Sequence, residues 1–209
     1  MGFIKKQKNK YITFKFNEWI SKHPIGTIIQ TIGNVDVLEN FYEYQLYCKS
    51  LNASIQGFNR TTMNAIKIKP KEELIQYIKE KYPEIENRTN RHIFSIDSET
   101  TADYDDAIGI ISDDDIDIMS IYISNVSIWM DVLNLWSSFS ERISTIYLPD
   151  RKRPMLPTIL SECLCSLQKG ETRFAFTLDV YVQNNKIIKT EFKNTAIKVT
   201  KNYCYEGKD

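Results

Sequence analysis

Four aspartates fall within ten positions in the run Asp97-Ser98-Glu99-Thr100-Thr101-Ala102-Asp103-Tyr104-Asp105-Asp106, which sits between two apolar stretches. Carboxylates this close repel one another unless a cation neutralises them. Magnesium suits such a set: it prefers hard oxygen ligands, takes few carboxylates, and fills its octahedron with water and substrate phosphate. Asp97 at a strand end, with Asp103, Asp105 and Asp106 on the loop that follows, supplies those oxygens from one stretch of chain. Asp103 and Asp105 share a face if the backbone is extended, and Asp106 points the other way. The residues alone leave two readings open, a metal-binding loop or a solvated acidic surface loop. An EF-hand is excluded, because the central Gly and terminal Glu of that loop are missing. A second acidic run, Asp113-Asp114-Asp115-Ile116-Asp117, reads as a solvated turn between strands.

Other chemistries find little to work with. His23 and His92 are far apart and lack metal-ligand spacing, so both read as structural or exposed. Ser137 and Ser138 have no histidine partner in the nearby sequence, so a hydrolase triad is unsupported. Cys163 and Cys165 read as packed thiols, since two sulfurs alone do not make a zinc site. There is no phosphate-cradling GxxxxGK[ST] loop, which argues against an NTPase.

The elements that must position the aspartates are strands. A strand is expected over 92–96, then two more over 107–111 and 116–124 around the acidic turn, and two closing strands over 174–182 and 187–199 flanking a hairpin turn at 183–186. Helical spacing runs over 131–143, with Leu133, Trp136 and Phe139 on one side. Pro149, Pro154 and Pro157 make 148–157 a loop. Upstream, a helix is expected over 71–82, where Leu74, Ile75 and Ile78 share a face between Pro70 and Pro83. The polar stretch 52–64 reads as an irregular connector and 84–91 as a charged linker. The first fifty residues alternate apolar and polar side chains in short strands, with turns at His23-Pro24-Ile25-Gly26 and Gly33-Asn34. Residues 38–51 fit either a strand or a helix.

The segment from Ile96 to Ala107 resembles the aspartate signature of the ribonuclease II (RNB) family of 3′-to-5′ exoribonucleases. Further stretches agree in the family's order: Ile121-Tyr122-Ile123-Ser124-Asn125-Val126-Ser127, then Arg142 with Thr145-Ile146-Tyr147-Leu148-Pro149, then Arg153-Pro154-Met155-Leu156-Pro157. Leu160-Ser161-Glu162-Cys163-Leu164-Cys165-Ser166-Leu167 and Arg173-Phe174-Ala175-Phe176 complete the match. Tyr11 through Gly33, with Trp19, resembles the cold-shock-like OB domain that precedes the catalytic domain, a fold that binds single strands by stacking and backbone electrostatics.

The resemblance implies a mixed α+β protein: an OB-like β-barrel over 1–51, a helical linker over 52–91, and a sheet-based N-terminal part of the RNB catalytic domain over 92–209. It implies that Asp97, Asp103 and Asp106 hold Mg2+ and the scissile phosphate, that Asp105 is the aspartate most needed for hydrolysis, and that Tyr147 and Arg142 contact RNA. The activity implied is hydrolysis of single-stranded RNA from the 3′ end to nucleoside 5′-monophosphates. Two departures stand out. The family usually has Asp where Asn125 stands. The sequence also ends without the family's helical second half, which carries a phosphate-clamping arginine and a second stacking aromatic. The alternative is therefore a non-catalytic RNA-binding or companion subunit, and a second polypeptide supplying the missing half would restore an enzyme. The unfinished sheet face is expected to be apolar.

Bulk properties are compatible with this. The 209 residues carry 27 basic and 27 acidic side chains, so net charge gives no support to nucleic-acid binding. Its distribution is uneven, with Lys5, Lys6, Lys8 and Lys10 at the start and acid over 97–117. No apolar run approaches the ~18 residues of a membrane span, and no signal peptide or myristoylation motif is recognisable. Four sparse cysteines favour a reducing compartment. The expectation is a soluble, intracellular, cytoplasmic protein.

Overall fold

A computed structural model describes residues 8–113, 115–139, 142–205 and 207; Lys5, Lys6 and Asp114 lie outside the described residues. The chain is mixed α+β, as expected, and its contacts gather into two units. The first comprises Met1–Ser54 with Glu141–Met155, the second Ile55–Ser140 with Leu156–Asp209. Among the described residues no helix is long and apolar enough to cross a membrane.

In the first unit, strands β1 (Lys10–Glu18) and β2 (Ile25–Asn34) pair antiparallel, and among the described residues their sheet is two-stranded. Helix α1 (Leu38–Cys48) settles the ambiguous stretch 38–51. It lies on one side of the hairpin, where Tyr44 stacks on Tyr11 at 4.4 Å and the Tyr47 hydroxyl donates to Gln30 at 2.6 Å. Ser50 ends it with φ 55°, letting the N–H of Leu51 reach the carbonyl of Leu46 at 2.8 Å. The opposite side of the hairpin presents Phe14, Phe16 and Ile28 to solvent.

The second unit opens with α2 (Gln56–Ile66) and α3 (Lys71–Lys81). Helix α3 matches its pattern, with Glu72 and Glu73 in its first turn and Lys79 and Lys81 in its last, as the helix dipole favours. Helix α2 corrects the reading of 52–64 as an irregular connector. Its composition is a poor helix former, but Phe58 and Thr62 are buried and Ala65 and Ile66 pack beside them, so tertiary packing overrides propensity.

A seven-stranded sheet follows, in the order β11-β4-β5-β6-β9-β10-β3. In chain order its strands are β3 (Glu86–Arg88), β4 (Phe94–Asp97), β5 (Asp106–Asp113), β6 (Ile116–Ser124), β9 (Thr172–Gln183), β10 (Lys186–Lys198) and β11 (Lys201–Cys204). The edge strands β3 and β11 pair parallel to their neighbours; the rest is antiparallel. Asn184 and Asn185, at φ 49° and 60°, make the two-residue turn between β9 and β10. Between β6 and β9 run α4 (Val126–Val132), a 3-10 turn at Trp136–Ser138, the short pair β7 (Ile146–Tyr147) and β8 (Lys152–Arg153), which belongs to the first unit, and a π-helical segment, Ile159–Leu164.

The expected helix over 131–143 is thus corrected. Helix α4 begins earlier, capped by Asn125, and stops at Asn134, whose φ of 52° closes a Schellman motif: Asn134 N–H bonds Asp131 O at 3.2 Å and Leu135 N–H bonds Met130 O at 2.8 Å. Residues 140 and 141 of that stretch lie outside the described residues.

The two faces of the sheet differ. One carries Ala107, Tyr122 and Ala175, packed with Ile93, Leu167, Ile197 and Val199. Also buried there are Ser120 and Asp179, with Arg88 bridging to Asp179 through both terminal nitrogens at 2.7 and 2.6 Å. On the other face, Trp129, Leu160 and Ile78 cover only the end at Phe174 and Ala196. The cross-strand rows Ile110–Met119 and Ile123–Phe176, with Phe192 opposite Leu178, remain open to solvent, and Phe192 is 65% exposed. Residues opposite one another across strands share a face, so this is one apolar patch.

Candidate active site

The acidic run forms the loop between β4 and β5. Asp97 ends β4 and Asp106 begins β5, its antiparallel neighbour, so the chain leaves and re-enters the sheet at the same end. Residues 98–105, with Asp103 and Asp105, make the loop. Its start is tightened by a turn in which Thr101 N–H bonds Ser98 O at 3.1 Å, with the Ser98 hydroxyl beside those of Thr100 and Thr101.

Three anchors fix this loop from outside its own sequence. Strand β11 runs parallel beside β4, placing Cys204 next to Asp97, whose carbonyl accepts from Tyr205 N–H at 2.9 Å. The N–H of Ser124, at the end of β6, donates to Asp105 O at 2.8 Å. The third anchor is the segment after the π-helical turn. Ser166 is fully buried; its hydroxyl accepts from Tyr104 N–H at 3.0 Å and donates to Ala102 O at 3.2 Å, while Leu167 N–H reaches Tyr104 O at 2.8 Å. Arg173, also buried, holds that segment in turn through the carbonyls of Ser166 and Cys163, each at 2.7 Å. Sequence reasoning noted these stretches as motifs and missed the positioning roles of Ser166 and Arg173. The available signal was a small polar residue near the end of an apolar stretch and an arginine opening one.

The electrostatics follow from this packing. Burial pushes the Cys165 thiol up to about 12, and the nearby Asp105 carboxylate adds to that shift, so Cys165 stays a neutral packed thiol. Asn125, the departure from the family pattern, serves the local structure, since its Oδ1 caps α4 at Ile128 N–H and its Nδ2 donates to Asn194 at 2.9 Å.

Among the described residues no three His, Cys, Asp or Glu side chains converge into a set that could hold an ion. One atom nevertheless has the character of a cation ligand. Oδ2 of Asp97 is shut off from solvent and has no hydrogen-bond partner. A buried carboxylate oxygen left alone is costly, and native proteins satisfy such atoms with water or an ion. Magnesium needs only one or two carboxylates, so the donor chemistry fits it.

Tyr147 and Arg142 belong to the first unit and the aspartates to the second. Tyr147 is 77% exposed on β7, free to stack. Arg142 is buried: Nε and Nη2 donate to Ala53 O, Nη1 donates to Pro154 O at 2.8 Å, and burial lowers its pKa. In this arrangement its guanidinium fastens its own loop.

The RNB domain profile matches residues 85–208, more than half of the 209. The chain belongs to the RNB domain family. Over 97% of its length it is 26% identical to DIS3-like exonuclease 2 of Schizosaccharomyces pombe, of which it spans 22%. Among solved structures, RNase R of Mycoplasma genitalium in complex with double-stranded RNA superposes with a TM-score of 0.74 at 19% identity, over 98% of this chain and 36% of that one. Yeast Ssd1, a pseudonuclease, gives a TM-score of 0.63 at 18% identity, over 94% and 25%. This RNB chain therefore spans roughly a fifth to a third of these relatives, and the structural likeness at such identity concerns the fold.

Proposed function

We propose that this RNB chain forms part of a magnesium-dependent 3′-to-5′ exoribonuclease acting on single-stranded RNA and releasing nucleoside 5′-monophosphates. The observation that carries the reading is the unpartnered buried Oδ2 of Asp97 at the head of a loop that bears Asp103 and Asp105 and ends at Asp106 of β5. Asp97, Asp103 and Asp106 are the residues that would hold Mg2+, which when bound supplies charge neutralisation at the phosphate and acidifies water. Asp105 orients the attacking water, with its backbone held by Ser124. Tyr147 offers an exposed ring for base stacking. The relatives are far longer than this chain. The open apolar face around Ile110, Phe176 and Phe192 would then be covered by a further polypeptide segment carrying the rest of the RNB fold.

The second reading, an RNA-binding or companion subunit that does not cut, is favoured by the lack of a converged ligand set among the described residues and by the likeness to a pseudonuclease fold. One assay separates the two: 5′-labelled single-stranded RNA incubated with magnesium, beside Asp105→Asn. A 3′-shortening ladder from the wild type alone supports the enzyme. Binding without shortening, in both the chain alone and a mixture with the remaining RNB segment of a relative, supports the subunit.

A further inference from the structure

A concavity of about 300 Å³ opens where the ends of β3 and β10 meet the segment leading into β9. Arg91, Lys169 and Lys198 line it, with the hydroxyl-bearing Thr89 and Thr200, and no carboxylate does. Equal numbers of acids and bases in the whole chain make such a one-signed lining notable. The neighbouring acids are already paired, Glu86 with the pocket's own Arg91 among others. Glu171, next to Gly170 in the chain, pairs with Lys71 and Arg173. Glu86 is shared among Arg88, Arg91 and Lys193. Lys169 and Lys198 thus have no carboxylate of their own within reach among the described residues.

The backbone around the concavity is locked. Lys169 bridges Val199, Gly170 N–H bonds Val199 O at 2.9 Å, Lys169 N–H bonds Asn202 at 2.8 Å, and Thr200 N–H bonds Ile93 O at 2.7 Å. Gly170, at φ +79°, turns the chain there, and the space its side chain would fill is empty. Two lysines without carboxylate partners, set in a concave, preformed site, attract an anion more strongly than scattered lysines do.

We infer that this pocket binds a phosphodiester of the RNA backbone at a point separate from the acidic loop. The inference rests on the RNA reading above. An RNA strand suits it better than a free anion because the pocket is open, and because Lys169 lies on the same short segment whose Ser166 and Leu167 hold the acidic loop, so a bound strand is tied to the loop's own support. Contacts of this kind position a strand and do not read sequence.

The test uses the full chain in EDTA, where no cleavage occurs, and single-stranded RNA of two unrelated sequences titrated over a range of salt. A Lys169→Gln/Lys198→Gln double variant, checked for an unchanged melting temperature, should weaken both RNAs equally and lower the slope of log K against log salt by about 0.7, the value for one lost phosphate contact. RNA should also shift the Gly170 and Thr200 amide resonances of the wild type and leave those of the double variant in place. An unchanged slope with wild-type binding intact overturns the pocket and leaves the RNA reading standing. Absence of any RNA binding by the wild type overturns both. Amide shifts with inorganic phosphate but not with RNA overturn the RNA assignment in favour of a small-anion site.

Discussion

Replacing Ser166 by Ala isolates one of the three anchors of the acidic loop. The substitution deletes one buried hydroxyl that accepts from Tyr104 N–H at 3.0 Å and donates to Ala102 O at 3.2 Å. It leaves the Leu167-to-Tyr104 backbone bond in place. A donor stranded away from water costs roughly 1–3 kcal/mol. Because that bond belongs to the loop and not to the sheet, the cost should appear as local opening, a roughly 5- to 150-fold rise in the open population. Ion affinity should respond differently. It scales with the fraction of molecules whose loop is competent, so it stays nearly constant while the open state is minor. The assay is native-state hydrogen exchange at the Tyr104 and Leu167 amides, with magnesium affinity by calorimetry in parallel and the exposed Ser98→Ala as control. Faster exchange at those amides with near-normal ion affinity is the expected result. Exchange at Tyr104 unchanged from wild type would refute the claim that Ser166 positions the loop.

The buried Arg88–Asp179 pair ties edge strand β3 to the centre of the sheet, so Asp179→Ala should cost about 1.5–3 kcal/mol in urea unfolding by removing charged hydrogen bonds while Glu86 still pairs the guanidinium, and the double variant Arg88→Met/Asp179→Leu should recover most of that loss. Burial pushes the Asp179 carboxyl up, but the Arg88 and Ser120 hydrogen bonds outweigh it and hold the group below its ordinary value; Glu86 is lowered by its Arg88 hydrogen bond. Depressed folded-state pKa values mean stability that is complete above the unfolded carboxylate range of about 4 and lost as pH falls through the folded values, so the urea midpoint should drop progressively as pH falls below about 4 and drop less in Asp179→Asn. Asn134→Val forces a β-branched residue into the left-handed conformation that ends α4 and should destabilise by about 1–2 kcal/mol, with Asn134→Gly neutral or better, both read from thermal melts. Phe192→Lys, on the open sheet face, should reduce binding of a hydrophobic-patch dye without lowering the melting temperature.

Strands β4, β5, β6, β9 and β10 were legible because their signals are local; β3 corrects the reading of 84–91 as a charged linker, and β11 was not expected, since both are short edge strands fixed by pairing with distant neighbours. β6 spans Ile116–Ser124 as its alternation implies, and the β9–β10 turn was marked by its asparagines. Helix α2 was not legible, since Asn59, Arg60, Thr61 and Thr62 give no periodic apolar signal and the helix is held by Phe58 against Phe139 and the core. Helix α4 was displaced for a related reason. The apolar spacing of Leu133, Trp136 and Phe139 does imitate a helix, but Asn134 breaks it, and asparagine announces the left-handed conformation less firmly than glycine does.

The candidate site divides along the same line. Carboxylates close in sequence can be read from spacing, and Asp103 and Asp105 lie on the β4–β5 loop with Asp97 and Asp106 at the strand ends that flank it. What fixes such a loop comes from far away in sequence: Ser166 lies 62 residues from Tyr104, and Asn202 lies 107 from Ser95. No period or spacing encodes these pairings; they exist because β4, β9 and β11 meet in one sheet. Arg142 shows the converse. A conspicuous arginine in a loop invites a phosphate role, yet three of its donors go to carbonyls of Ala53 and Pro154. Composition sets how many charges a segment carries, but whether each faces a ligand or a carbonyl is decided by which backbone groups the fold leaves unsatisfied beside it.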